Sequence, residues 1–227
     1  MVGFGVGWRV ECGLVEIVRV DPLKPDRRVL ARVGRLVERG ALVVYPTDTV
    51  YGVGTNPLLE DAVRRLYEAK KRPFGKPVPV LASSIEHVER IAFLSEEARR
   101  LAARFWPGPL TIVVPAKPSL PSIVTGGSGK VGVRVPAHNV ARLLIEEAGG
   151  LIIGTSANIS GRPPPRTAEE AFRELGNAVD VIVDAGPAPG GKPSTVIDLT
   201  TTPPKIVRKG PIGRKELEEV LGVEVVE

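Results

Sequence analysis

The sequence has little of what disulfide frameworks and metal sites are made from. Its 227 residues include one cysteine, Cys12, and two histidines, His87 and His138. A lone cysteine cannot form an internal disulfide, and two histidines without a cysteine cluster do not give a zinc-type spacing. A serine–histidine–acid triad has equally little scope. These scarcities favour a site built from other polar side chains, with no protein metal ligand.

Long apolar runs are also missing. No stretch of about 18 consecutive apolar residues occurs, so the sequence predicts no membrane span. The apolar start is interrupted by Arg9 and Glu11 and no small-residue cleavage site follows, so we expect a cytoplasmic location. Aromatic residues make up only 4% of the chain, which argues against stacking platforms for single-stranded RNA.

What the chain does have is a small excess of positive charge. Lysine and arginine number 31 against 26 acidic residues, which gives a net charge of +5 and a pI of about 9.5. This excess favours anionic partners such as nucleotides, phosphates or RNA, but it does not choose among them. An apolar content of 43% is typical of a globular protein.

The apolar periodicity predicts an α/β protein. Helical stripes over residues 26–39 and 59–71 are interspersed with short strands such as 42–45. Helices and strands do not alternate strictly, which favours a twisted, mixed parallel and antiparallel sheet flanked by helices. We expect a single domain over residues 15–222, preceded by a glycine-rich lead-in over residues 1–14.

One buried strand ends in small polar residues. Leu151–Ile153 is followed by Gly-Thr-Ser-Ala-Asn, and three consecutive prolines soon afterwards cannot continue a sheet ladder. If the chain remains extended, the side chains of Ser156 and Asn158 lie on one face. Open α/β sheets place ligands at such strand ends, and the alternative is a polar turn without a ligand.

A cluster of basic residues follows the second helical stripe. Pro73 disfavours helical geometry at Arg72, so the helix is expected to end near Lys70 and the two basic side chains could converge on one anion. The alternative is a solvated basic helix end that complements the helix dipole.

Two predicted strands carry an arginine. Strict alternation places Arg134 on the same face as Gly132, where the guanidinium could pair with a carboxylate. The alternative is an exposed strand arginine. Arg208 is a similar but weaker case.

Hydroxyl side chains adjoin two further strands. Thr47-Asp48-Thr49 follows one strand, and Pro193-Ser194-Thr195 begins another. Such residues either bind a ligand or satisfy their own turns. Neither a Gly-x-x-x-x-Gly-Lys-Ser/Thr loop nor a Gly-x-Gly-x-x-Gly motif after a strand is present, so neither common nucleotide-binding fold is predicted.

In combination these motifs resemble one family. In chain order they are Tyr45-Pro46-Thr47-Asp48-Thr49-Val50-Tyr51-Gly52, Lys70-x-Arg72-Pro73, Trp106-Pro107-Gly108-Pro109-Leu110-Thr111, Val133-Arg134-Val135-Pro136, Thr155-Ser156-Ala157-Asn158 and Pro193-Ser194-Thr195-Val196-Ile197-Asp198. Over roughly residues 15–220 the sequence resembles the YrdC-type threonylcarbamoyl-AMP synthase family in its short, single-domain form.

The resemblance implies a YrdC-like fold and an ATP-dependent nucleotidyltransferase. Such an enzyme makes threonylcarbamoyl-AMP and pyrophosphate from L-threonine, bicarbonate and ATP, and Mg²⁺ is expected to accompany the ATP. A separate transferase complex would pass the threonylcarbamoyl group to an adenosine next to the anticodon of tRNA. Whether the chain itself binds RNA stays open.

The resemblance also implies roles for particular side chains. The catalytic group around the nucleotide phosphates would be Lys70, Arg72, Ser156 and Asn158. Further nucleotide-side positions would be Thr111, Gly154 and Arg208. The substrate-side positions would be Thr47, Ser194 and Arg134, with Arg134 on the threonine carboxylate. We expect the four catalytic side chains to line one cleft, with Arg134 further along it.

One departure concerns the threonine end of the site. Many synthases of this family carry a histidine in the strand after Lys-x-Arg, whereas residues 76–82 contain none. This leaves open how threonine is recognised, and it keeps a carbamoyl-adenylate-forming paralogue with another substrate as an alternative. A non-catalytic RNA-binding module of the same fold is the second alternative, since double-stranded RNA can be bound by shape.

Overall fold

The computed structural model describes residues 15–227, and the predicted lead-in over residues 1–14 lies outside the described residues. The strands are β1 (Glu16–Arg19), β2 (Val43–Tyr45), β3 (Gly52–Gly54), β4 (Val80–Ala82), β5 (Leu110–Pro115), β6 (Lys130–Arg134), β7 (Leu151–Ile153), β8 (Thr155–Ser156), β9 (Val181–Asp184), β10 (Thr195–Asp198) and β11 (Lys205–Arg208). The helices are α1 (Arg27–Glu38), α2 (Glu60–Ala69), α3 (Ile85–Glu89), α4 (Glu96–Phe105), α5 (Ser122–Thr125), α6 (Asn139–Glu147), α7 (Ala168–Leu175) and α8 (Arg214–Leu221).

The strands form two mixed sheets. The five-stranded sheet has the order β1-β9-β2-β3-β8, with parallel pairing from β1 to β2 and antiparallel pairing from β2 to β8. The six-stranded sheet has the order β11-β10-β5-β6-β4-β7, in which antiparallel and parallel pairs alternate. The predicted α/β class with mixed pairing is confirmed, and the strands divide between two sheets instead of one.

The helices cover the sheets through apolar stripes. Asp26 precedes helix α1 as its N-cap, and its carboxylate accepts from the main-chain N–H of Arg28 at 2.8 Å. Its buried residues Leu30 and Val33 belong to the same apolar cluster as Leu144 of α6, so the two helices pack together against the five-stranded sheet. The remaining core is a larger cluster that both sheets share.

One short segment connects the two sheets. Residues 151–153 pair with β4 in the six-stranded sheet, and residues 155–156 pair with β3 in the five-stranded sheet. The residue between them must be a glycine, because a Cβ atom at Gly154 would lie 2.2 Å from Cγ of Leu81. The strand that the sequence marks as central therefore passes from one sheet to the other at this glycine.

None of the helices between residues 15 and 227 has the length and apolar character needed to cross a bilayer.

Candidate active site

A cavity of about 180 Å³ lies where the two sheets meet. We call it the central cavity. Its lining residues are Tyr45, Thr47, Thr49, Val50, Gly52, Arg72, Pro79, Leu81, Thr111, Arg134, Gly154, Thr155, Ser156, Pro193, Ser194 and Arg208. This volume suits a small polar ligand or one end of a larger ligand, since sites that hold a drug-sized molecule are about 300–1,000 Å³.

Arg134 is the buried charged residue of this lining. The residue is only 4% exposed, on a strand whose neighbours Val133 and Val135 face the core. Its Nε–H donates to the carbonyl oxygen of Gly108 at 2.8 Å, and its Nη2 donates to the carboxylate of Asp48. The predicted face is confirmed, because Gly132 lies beside Thr111, which also lines the cavity.

A chain of hydroxyls leads away from Arg134. Nη1 of Arg134 donates to Oγ1 of Thr49 at 3.2 Å, and Oγ1 of Thr47 donates to the carbonyl oxygen of Val50 at 2.7 Å. The two threonine oxygens are 2.9 Å apart, and since Thr47 has already used its only proton, Thr49 is the donor between them. Thr47 lines the cavity as predicted, but it donates its hydroxyl proton within its own turn, to the carbonyl oxygen of Val50.

A second arginine approaches the cavity from β11. Arg208 donates through Nε to the carbonyl oxygen of Ser194 at 3.0 Å and through Nη2 to its hydroxyl at 2.9 Å. The same hydroxyl lies 2.8 Å from Oγ1 of Thr111. Three predicted residues therefore form one connected polar group.

The cavity is electrostatically cationic. Arg72, Arg134 and Arg208 line it, and the guanidinium of Arg208 is partly buried although the residue as a whole is exposed. Burial and the positive charge of Arg134 both lower the pKa of Arg208. Like charges that influence each other at low dielectric are costly to hold together, so the arrangement favours an anionic ligand.

Arg72 reaches the cavity because of the way α2 ends. The main-chain N–H of Arg72 donates to the carbonyl oxygen of Tyr67 at 2.8 Å, and that of Lys71 donates to Glu68 at 3.0 Å. This is a Schellman arrangement, and Lys71 has φ of 49° at the left-handed position where glycine is usual. The side chain of Arg72 is held beyond the turn by the carbonyl oxygens of Lys76 and Pro77.

The side chain of Lys70 is not part of the lining of the central cavity. It is 2% exposed, and its Nζ atom donates to the main-chain oxygens of Ser156 and Asn158, the latter at 2.7 Å. Burial lowers the pKa of Lys70 to about 7, with the charge of Arg72 acting in the same direction and Glu174 opposing it. Lys70 therefore lies behind the cavity wall and holds the backbone of the segment that carries Ser156.

Asn158 also lies outside the cavity. The extended conformation ends at Ser156, and the amide N–H₂ of Asn158 donates to the carbonyl oxygens of Ile159 and Arg162 at 2.9 and 2.7 Å. Among the described residues its Oδ1 atom is buried and has no hydrogen-bond partner. The expectation that Ser156 and Asn158 share one strand face is therefore wrong, because the strand turns before Asn158.

Eight of the ten residues singled out from the sequence line the central cavity. They are Thr47, Arg72, Thr111, Arg134, Gly154, Ser156, Ser194 and Arg208. The prediction that Lys70 and Asn158 line the same cleft is not met, since both contact the main chain behind it. The charge contributed to the cavity comes from arginines alone.

Sequence reasoning missed the partner of Arg134. Asp48 lies within a motif that was recognised, but its carboxylate is paired with a residue 86 positions later. An acidic residue between two buried threonines was the available signal, since buried charges are normally paired.

Over residues 15–227 no group of three or more histidine, cysteine or acidic side chains could hold a metal ion.

The fold and the site together define an α/β protein with an arginine-lined cavity at the junction of two mixed sheets. The family model described as "Telomere recombination", which groups Sua5, YciO and YrdC, matches residues 35–210. The chain therefore belongs to the Sua5/YciO/YrdC family.

Individual relatives agree with this assignment. The threonylcarbamoyl-AMP synthase of Pyrococcus abyssi is 45% identical over 187 residues, which cover 82% of this chain and 55% of that protein. A putative threonylcarbamoyl-AMP synthase of Mycobacterium tuberculosis is 42% identical over 205 residues, which cover 90% of this chain and 94% of that protein. The chain thus spans little more than half of the archaeal relative.

A solved structure shows the same fold. Pyrococcus abyssi Sua5 in complex with L-threonine aligns with a TM-score of 0.89 and 40% identity, over 93% of this chain and 62% of that one.

Proposed function

We propose that this chain is a threonylcarbamoyl-AMP synthase that makes threonylcarbamoyl-AMP and pyrophosphate from L-threonine, bicarbonate and ATP. The observation that carries the proposal is the arginine lining of the central cavity. Arg134 and Arg208 are close enough for one charge to lower the pKa of the other, and Arg72 adds a third cation. A ligand with several negative charges offsets this repulsion, and the triphosphate of ATP has them.

Threonine belongs at the Arg134 end in this proposal. Each nitrogen of the Arg134 guanidinium donates one N–H to a protein acceptor within the described chain, and each Nη atom keeps its second N–H. Two N–H groups are left for the threonine carboxylate, which matches bidentate recognition. Sua5 of Pyrococcus abyssi, which resembles this chain, has been solved with L-threonine.

The reaction needs positioning more than it needs a protein nucleophile. The α-amino nitrogen of threonine bonds to the bicarbonate carbon with loss of water, which gives a carbamate. A carbamate oxygen then bonds to the α-phosphorus of ATP while the bond to the β-phosphate oxygen breaks and pyrophosphate leaves. Fixed cations that face the phosphates stabilise the developing charge without reorganisation.

The nucleotide side of the cavity would be formed by Arg72, Arg208, Thr111 and Gly154, with the hydroxyl of Ser156 oriented towards the phosphates. Lys70 and Asn158 would act on this group through the main chain, because Lys70 holds the carbonyl oxygens of Ser156 and Asn158. Ser194 would serve the substrate side, where its hydroxyl links Thr111 to Arg208. Thr47 would contribute there mainly by supporting Thr49.

Magnesium enters this proposal as part of the ATP complex. The carboxylate of Asp48 is already paired with Arg134, and the described residues contain no cluster of three metal-binding side chains. The phosphate oxygens and water would therefore supply the ligands of the ion.

The product would serve tRNA modification in the cytoplasm. A separate transferase would move the threonylcarbamoyl group to the adenosine next to the anticodon. The positive net charge of +5 is compatible with RNA near the site, although no RNA-binding surface is part of the proposal.

Pyrophosphate release tests the proposal against both alternatives. The purified protein is given ATP, Mg²⁺ and bicarbonate with each amino acid in turn, and release is expected with threonine. Release with a different amino acid would instead support a paralogue with another substrate. No release with any amino acid, together with tight binding of RNA, would support the RNA-binding module.

A further inference from the structure

The ion pair between Asp48 and Arg134 is the most buried one in the described part of the chain. The two side chains are 11% and 5% exposed, whereas each of the other ion pairs includes a side chain that is at least 40% exposed. Removing one member of a buried pair leaves an uncompensated charge. At the wall of the cavity, Asp48 and Arg134 are therefore each needed to compensate the charge of the other.

The contacts of Arg134 fix the plane of its guanidinium. Nε, Nη1 and Nη2 each donate to a different acceptor, namely Gly108 O, Thr49 Oγ1 and Asp48 Oδ1. Three acceptors around a planar group leave it little freedom to rotate. Of these acceptors only Asp48 is charged, so it makes the largest contribution to holding the group in place.

The same carboxylate makes the two ends of the cavity electrostatically different. Arg208 donates to the neutral oxygens of Ser194, and Arg72 donates to the main-chain oxygens of Lys76 and Pro77. Among the three cavity arginines in the described structure, Arg134 is the one that has a carboxylate partner. The charge of Arg134 is therefore neutralised at its end of the cavity, whereas Arg72 and Arg208 keep their positive charge.

We propose that Asp48 is a positioning residue, which orients Arg134 and neutralises it so that this end of the cavity accepts an amino-acid carboxylate in preference to a phosphate. The inference rests on the proposed function. A phosphate depends strongly on uncompensated charge, while a carboxylate can use the two directed N–H groups that Arg134 retains. Asp48 thus separates the amino-acid end from the phosphate end.

The test compares Asp48→Ala and Asp48→Asn with the wild type in the pyrophosphate-release assay. Asp48→Ala is expected to raise the KM for threonine about tenfold, with less than about a threefold change in the KM for ATP. Asp48→Asn retains an oxygen acceptor and removes the charge, so we expect a smaller rise. Where Asp48→Ala does not fold, Asp48→Asn decides the question.

A double-variant cycle separates positioning from general damage. In an Arg134→Lys background there is no guanidinium to orient, so Asp48→Ala is expected to change the KM for threonine by less than about twofold. The matched control is Asp180→Asn, which makes the same change at the exposed Asp180–Arg65 pair, where the two atoms are 3.2 Å apart. This control should leave both KM values unchanged.

Binding of inorganic phosphate gives a readout that needs no turnover. Calorimetry is expected to show phosphate binding about tenfold more tightly to Asp48→Asn than to the wild type, because the charge of Arg134 is no longer compensated. Wild-type protein that releases no pyrophosphate with threonine would overturn the proposed function, and the phosphate measurement still decides the charge assignment. Unchanged phosphate binding, or equal changes in the two KM values, would overturn the inference about Asp48.

Discussion

The Nζ atom of Lys70 lies 2.7 Å from the main-chain oxygen of Asn158, so these two residues meet through the backbone and not as two side chains around one ligand. The same Nζ atom also contacts the main-chain oxygen of Ser156. A buried ammonium in this position fixes the segment that enters the cavity wall. Lys70, Ser156 and Asn158 therefore form one unit, and Ser156 lines the cavity together with Arg72.

We expect the titration of Lys70 to make the free energy of unfolding depend on pH. Burial lowers its pKa from the usual 10.5 to about 7 in the folded protein. Between these values the unfolded chain binds more protons than the folded protein, so the free energy of unfolding should rise with pH. The contribution of one such group is up to about 1.4 kcal/mol per pH unit.

Urea unfolding over this pH range, with Lys70→Met as the reference, measures that contribution. The substitution keeps a long unbranched side chain and removes the charge. The wild type is expected to gain stability relative to Lys70→Met as the pH rises. Parallel pH profiles for the two proteins would show that Lys70 is not titrating in the folded state.

Arg134→Ala should raise the threonine requirement much more than the ATP requirement. The lost charge-assisted hydrogen bonds are worth about 1.5–3 kcal/mol, which corresponds to a rise of about 10- to 100-fold in the KM for threonine. Initial rates of pyrophosphate release, measured with either substrate varied, give both constants. Arg142→Ala on the exposed surface of α6 is the control, and equal effects of Arg134→Ala on both substrates would contradict a carboxylate role.

Gly154→Ala should destabilise the junction of the two sheets. The new Cβ atom would lie 2.2 Å from Cγ of Leu81, and overpacking of this kind costs about 1–3 kcal/mol. Adding Leu81→Ala removes the clash, so the double variant should be more stable than the sum of the two single effects predicts.

The control for this experiment is Gly75→Ala, because a Cβ atom at Gly75 meets no atom within 4 Å. Its free energy of unfolding should stay within about 0.5 kcal/mol of the wild type. Additive effects of Gly154→Ala and Leu81→Ala would show that the two side chains do not compete for the same space.

Local sequence patterns predicted those parts of the fold and site that depend on local geometry. Alternation placed Arg134 opposite its buried valine neighbours, and the apolar stripes of α1 and α2 gave those helices nearly at their observed bounds. The motifs also include most of the residues that line the cavity, although they are spread from residue 45 to residue 198. Alternation and burial periodicity are enough to predict the strand face and the helices, whereas the shared cleft was what the family resemblance implied.

Two features depended on geometry that the sequence pattern did not reveal. Pro73 suggested an extended exit in which Lys70 and Arg72 converge, but the left-handed turn at Lys71 separates their side chains. A non-glycine residue in that conformation is uncommon, so the pattern gave no warning of it. The pairing of Asp48 with Arg134 joins residues 86 positions apart, and only the assembled fold brings them together.

The central claim is that the cavity joins threonine, bicarbonate and the AMP part of ATP into one molecule. The most direct measurement supplies the purified protein with ATP, Mg²⁺, threonine and ¹³C-bicarbonate, and identifies the product by mass spectrometry. The account predicts threonylcarbamoyl-AMP that carries the ¹³C label, formed in step with pyrophosphate and at a much reduced rate by Arg134→Ala. Pyrophosphate release without any labelled adenylate that contains threonine would contradict it.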